Sequence, residues 1–149
     1  MKKSIIICLG IFAINNCMAQ KPVTWTYSTK KISDKVYEVH LKANIQSGWY
    51  LYAQEQSEDF LGNPTSVKFN KHPLILLSGK TTEVGKLEKS KDPVLEIESG
   101  YYSDKVDFVQ KITLRSNAKT TVSGSIEFQT CTNEKCLPPA TVSFSVAID

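Results

Sequence analysis

From Val23 onward the chain alternates apolar and polar residues with a period of two, and this restricts what it can fold into more than any other feature. Successive side chains of a β-strand point to opposite faces, so such alternation marks strands with one buried and one wet face. The clearest run is Tyr37, Val39, Leu41, Ala43, Ile45, interleaved with Glu38, His40, Lys42 and Asn44. Val23, Trp25 and Tyr27 give a first strand. Trp49, Leu51 and Ala53 give another, entered through Ser47-Gly48, and Val67 with Phe69 follow the break at Gly62-Asn63-Pro64. Further on, Val106, Phe108, Ile112 and Leu114 alternate with polar neighbours. Val122, Gly124, Ile126 and Phe128 do the same, and Val142, Phe144, Val146 and Ile148 close the chain.

No window combines helical periodicity with capping residues. Eight or nine short strands separated by turn residues predict an all-β fold, an antiparallel immunoglobulin-like β-sandwich. Two stretches are less regular. The continuous apolar run Leu74 to Leu77 predicts a strand buried on both faces, separated by Gly79 from a weak segment at Thr82 to Val84. Lys86 to Tyr101 has no clean period and reads as an irregular, mobile loop.

The start of the chain has a different character. Lys2 and Lys3 precede an apolar run from Ile5 to Ile14, and Cys17-Met18-Ala19 places small residues at the −3 and −1 positions of a cleavage site. This is the pattern of a secretory signal peptide over residues 1–19, which leaves one domain over residues 20–149 in an exported, soluble chain. The apolar run is shorter than the roughly 18 to 20 residues needed to span a bilayer, so no membrane insertion is expected after cleavage. Removing Lys2 and Lys3 leaves 16 basic residues against 15 acidic ones. With so little net charge, and no stripe of lysine or arginine, the chain lacks the footprint of a nucleic-acid binder.

Cleavage also removes Cys8 and Cys17 and leaves Cys131 and Cys136, in a compartment where disulfides persist. They flank the polar tetrapeptide Thr132 to Lys135. A four-residue hairpin loop would set them directly opposite one another, within reach of a disulfide. Strand phase puts Ile126 and Phe128 inward, so Cys131 falls on the outward phase and the pair is expected to be reachable. Pairing Cys131 with Cys136 would set Ile126 opposite Thr141, whereas the return strand buries its even-numbered residues. One residue must therefore be absorbed, and Leu137-Pro138-Pro139 is the natural place because proline cannot donate to a strand ladder. As a staple the pair is weak: closing so short a loop is worth about 2 kcal/mol on the chain-entropy model, against about 4.7 for a loop of 100 residues.

These residues resemble the N-terminal periplasmic domain of the thiol:disulfide interchange protein DsbD, a family with an immunoglobulin-like fold. The resemblance rests on Val23-Thr24-Trp25, on Ile45 to Tyr52, on Tyr102 to Phe108, and above all on Cys131 to Cys136 followed by Leu137-Pro138-Pro139. It implies that Cys131 and Cys136 are the redox pair, with Cys136 attacking and Cys131 resolving. It also implies that Tyr50 and Tyr52 pack around the sulfurs beside Pro138, and that a cap segment lies near Asp92, Val94 and Leu95. The family's cap carries an aromatic shield, where this chain has Pro93, Val94 and Leu95. The function implied is periplasmic thiol-disulfide exchange of the protein-disulfide reductase type. Thioredoxin-like proteins would be donor and acceptor, no cofactor is required, and because this chain carries neither a membrane nor a thioredoxin-like domain, a separate membrane reductase is a candidate electron source.

Other chemistries find less support. His40 and His72 share no ligand spacing with the cysteines, so no metal is expected. A copper carrier would use thioethers, yet Met1 and Met18 leave with the leader. Trp25 and Trp49 read as sheet packing, and no phosphate loop or hydrolytic constellation stands out. One alternative from another class stays open: a non-catalytic secreted sandwich used for binding or scaffolding, with its disulfide merely pinning a hairpin.

Overall fold

The computed structural model describes residues 21–148 and contains eleven strands and no helix among them. The expected leader, residues 1–19, lies outside the described residues. The strands form three antiparallel sheets. The first has the order β1 (Val23–Ser33), β2 (Val36–Ile45), β8 (Lys105–Leu114), β5 (Ile75–Gly85). The second runs β10 (Thr130–Cys131), β3 (Tyr50–Tyr52), β7 (Glu98–Tyr102), β6 (Glu88–Lys91), and the third β11 (Ala140–Ile148), β9 (Thr120–Phe128), β4 (Ser66–Phe69).

The alternation read from the sequence is the alternation of burial. Tyr37, Val39, Leu41, Ala43 and Ile45 of β2 are buried, as are Val106, Phe108, Ile112 and Leu114 of β8. The register sets Leu41 opposite Phe108 and Tyr27 opposite Leu41, so the inward residues of neighbouring strands meet on one face. This face packs on the third sheet. Trp25 lies 5.9 Å from Phe108 and 5.3 Å from Phe128 between ring centroids, and Tyr27 lies 5.8 Å from Phe144. The result is the antiparallel immunoglobulin-like β-sandwich expected from the strand pattern.

Two expectations are corrected. Leu74 to Leu77 is not buried on both faces: Leu76 and Leu77 are 44% and 49% exposed, because β5 is the edge of its sheet and nothing pairs its far side. The weak segment beyond Gly79 belongs to the same strand, whose register shifts between Ser78 and Thr82. Gln110 accounts for this irregularity. It occupies an inward position of β8, almost fully buried, and its amide donates to the carbonyls of Ser78 and Gly79 while Thr81 Oγ1 donates to its Oε1. The second correction concerns Lys86 to Tyr101, which is not an irregular loop. It holds β6 and β7, paired from Glu88↔Tyr101 to Lys91↔Glu98. Its lysines and glutamates face water on a sheet edge, so the burial contrast that produces a period of two is missing. The Lys89 Nζ–Glu98 Oε1 pair, 2.7 Å apart, spans the two strands instead.

Gly124 shows how closely the third sheet is packed. It sits opposite both Phe69 and Phe144, and a Cβ there would run into the Lys68 carbonyl and the Phe144 ring. Backbone cannot move aside as a flexible side chain can, so Gly124→Ala should destabilise the domain by about 1–3 kcal/mol, the usual cost of overpacking. The urea midpoint measures this, and an unchanged midpoint would contradict the packing described.

Candidate redox site

The site begins at a tight turn. Gly48, at φ +84°, lets the chain reverse so that the Trp49 N–H donates to the Gln46 carbonyl at 3.0 Å, and β3 starts immediately afterwards. Leu51 points into the core, completely buried, with Tyr102 beside it across the sheet. Tyr50 and Tyr52 therefore occupy the opposite face. On that face Tyr50 lies 4.8 Å from Tyr101 and 5.6 Å from Tyr52, and Tyr52 lies 4.8 Å from Phe60, forming a continuous aromatic cluster.

The cysteines join this cluster through a transfer between sheets. β9 pairs with β11 up to Phe128; at Gln129 the chain leaves that sheet, and β10 pairs with β3, Thr130 opposite Leu51 and Cys131 opposite Tyr50. Gln129 secures the crossing. Its Oε1 accepts from the Asn63 N–H at 3.1 Å, and its Nε2 donates to the Leu137 carbonyl at 3.1 Å.

Cys131 and Cys136 form a disulfide with Cα atoms 4.0 Å apart. They are a non-hydrogen-bonded antiparallel pair, the closer of the two pair types. The flanking bonds run from the Thr132 N–H to the Lys135 carbonyl at 2.7 Å and from the Leu137 N–H to the Thr130 carbonyl at 2.9 Å. Thr132 Oγ1 also accepts from the N–H groups of Glu134 and Lys135, shaping the loop. The extra residue is absorbed at Pro138 and Pro139. The hairpin keeps its register through Leu137, while β11 resumes with Ala140 opposite Phe128, one residue out of step.

The expectation that both cysteines are reachable is corrected. Cys136 is exposed, but Cys131 has no exposed surface. The strand phase of β9 carries on to Cys131 only while the chain stays in one sheet. After the transfer, the outward face of Cys131 meets the tyrosines of β3 rather than water. The Tyr52 hydroxyl donates to Cys131 Sγ at 3.6 Å, since a disulfide sulfur has no hydrogen to give. Of the two cysteines only Cys136 therefore offers surface to solvent, while Cys131 Sγ lies beside a hydroxyl donor.

The remaining expected site residues are distributed around this centre. Pro138 is exposed on the hairpin's return arm and lines an apolar cavity of about 510 Å³ with Trp25, Phe128 and Leu137. Asp92, Val94 and Leu95 lie in the turn between β6 and β7, and β3 and β7 separate β6 from the cysteine strand. The N–H groups of Leu95 and Val94 hold the Asp92 carboxyl below the usual carboxylate range. Val94 is 85% exposed and Leu95 57%, so neither is packed as a lid. Sequence reasoning missed Phe60 and Tyr101. Continuing the alternation back from buried Tyr102 through Tyr101 would have placed Tyr101 beside Tyr50; nothing in the sequence marks Phe60.

The family model for the thiol:disulfide interchange protein DsbD, N-terminal, matches residues 17–148. The chain belongs to the DsbD N-terminal domain family. A comparison with curated protein sequences finds no match. Among solved structures, the reduced DsbD N-terminal domain of Neisseria meningitidis is similar with a TM-score of 0.52 at 15% identity, over 84% of this chain and 86% of that one. The N-terminal periplasmic domain of ScsB from Proteus mirabilis aligns with a TM-score of 0.52 at 18% identity, over 83% of this chain and 44% of that one. A complex between the DsbD and PilB N-terminal domains of Neisseria meningitidis aligns with a TM-score of 0.51 at 15% identity, over 87% and 88%.

The aromatic cluster gives this DsbD-type domain an alkaline signature. Burial, and then a hydrogen bond to Tyr52, push the Tyr50 hydroxyl up to about 12 from its ordinary 10.0. The folded state thus holds this proton more tightly than the unfolded state. The associated stability is complete below pH 10 and is lost as pH rises towards 12. Urea midpoints should fall across that window, and less steeply in Tyr50→Phe. Equal slopes in the two proteins would contradict the assignment.

Proposed function

We propose that this domain carries electrons between thioredoxin-like proteins in the periplasm by thiol-disulfide exchange, with Cys136 as the attacking sulfur and Cys131 as the resolving one. The observation that carries this reading is the asymmetry of the pair, Cys136 exposed and Cys131 buried against Tyr52. Exchange requires one sulfur that a partner can reach and a second, held close, that can displace the partner. Membership of the DsbD N-terminal family supports the chemistry. A DsbD N-terminal domain captured in complex with the PilB N-terminal domain supports a protein as partner. The similar ScsB domain is periplasmic, which supports export of this chain through a leader cleaved after Ala19.

A purely structural disulfide is the poorer reading. The two arms of the hairpin are already joined by hydrogen bonds on both sides of the cysteines. The covalent bond closes a loop that the backbone closes anyway, so it adds little as a brace.

The test is to trap the intermediate. Cys131→Ser, mixed with an oxidised thioredoxin-like partner, should accumulate a covalent adduct that dithiothreitol dissolves, and Cys136→Ser should not. An adduct formed by Cys136→Ser alone would reverse the assigned roles, and failure of both variants to form one would remove the proposal.

A further inference from the structure

Lys135 immediately precedes the exposed cysteine, and its Nζ lies 5.7 Å from the centroid of the Trp49 ring. Trp49 is almost buried and adjoins Tyr50, the strand partner of Cys131. The contact thus ties the arm bearing Cys136 to the residue that enters the strand against which Cys131 is paired. It depends on an ammonium group and a ring face and does not require the sulfur–sulfur bond. We propose that Lys135, acting through Trp49, is a positioning residue that keeps the hairpin closed in the dithiol state and thereby sets how readily Cys131 resolves a mixed disulfide at Cys136. This inference rests on the exchange reading above.

In the step concerned, the Cys136 thiolate attacks one sulfur of a partner disulfide and releases the partner's other sulfur as a thiolate. The Cys131 thiolate then attacks Cys136 Sγ, forms the Cys131–Cys136 bond and expels the partner's second thiolate. Two electrons pass to the partner, and the two protons given up by the cysteines match those its thiolates take up. The second attack needs Cys131 and Cys136 opposite one another while no bond joins them. In the hairpin that alignment is left to the Thr132–Lys135 and Thr130–Leu137 backbone hydrogen bonds, to the bond from Gln129 Nε2 to the Leu137 carbonyl and to the Lys135–Trp49 contact. Among these, only the contact with Trp49 joins the loop end of the second arm to the residue that leads into β3.

The effective concentration of the two thiols is the equilibrium constant for oxidation of the domain by glutathione disulfide. Lys135→Met keeps the length of the side chain and removes its charge; it should lower that constant about two- to fivefold, the range expected for an exposed cation–π contact, whereas Lys135→Arg should retain it. Trp49→Phe should lower the constant when Lys135 is present and have no further effect when it is methionine, because the two groups act as a unit. A Lys135→Met domain indistinguishable from the parent would overturn the proposal. So would independent, multiplicative effects of the two substitutions, which would mean that the lysine acts on the thiolate through its charge alone. A parent domain that does not exchange with glutathione would instead remove the exchange reading itself, and with it the role assigned to Lys135.

Discussion

The short pairing of β10 with β3 is the interaction on which the site depends. Two residues, Thr130 and Cys131, take the chain out of the sheet that holds β9 and place it against Leu51 and Tyr50. Without that transfer the cysteine hairpin would continue β9 and β11 into solvent, and both sulfurs would be equally open. With it, the near arm becomes the edge of a different sheet, its inward side anchored by buried Thr130 and Leu51 and its outward side facing tyrosines. The asymmetry of the disulfide follows from the change of sheet rather than from any property of the cysteines.

The rest of the fold serves this transfer. The packing of Trp25 against Phe108 and Phe128 fixes β9 up to the point of departure. Gln129 then bonds both the loop at Asn63 and the return arm at Leu137. The one-residue mismatch between hairpin and sheet is confined to two prolines, which have no N–H to leave unpaired. On the far side of the second sheet, the Tyr102 hydroxyl donates to Glu83 Oε2 at 3.2 Å and ties β7 to β5 of the first sheet. Burial pushes the Glu83 carboxyl up, opposed by its bonds to the Gln54 N–H and Tyr102. A rigid scaffold fixes the geometry of the two sulfurs in advance, which is what the proposed exchange would require.

Much of this was legible in the sequence where burial and periodicity coincide. The alternating runs of β2, β8 and β9 each have one face on the core, so their side chains record the fold directly. The opposition of the cysteines and the slip at the prolines followed from counting residues. What was not legible depends on which strand lies beside which. Leu76 and Leu77 are as apolar as core residues, but edge placement leaves them exposed. The β6–β7 hairpin has too little burial contrast to show a period. The burial of Cys131 depends on Tyr52, far away in sequence, and no local pattern announces a change of sheet. Resemblance to the family supplied Tyr50 and Tyr52 where the pattern alone would not have singled them out.

A Cys131–Cys136 bond made to exchange would show it in its reduction potential. Equilibration of the purified domain against glutathione and thioredoxin buffers, with free thiols counted at each ratio, should give a potential of about −120 to −270 mV, the range of exchange proteins. A value below about −300 mV, where structural disulfides lie, would show that the bond is a brace and not an exchange pair.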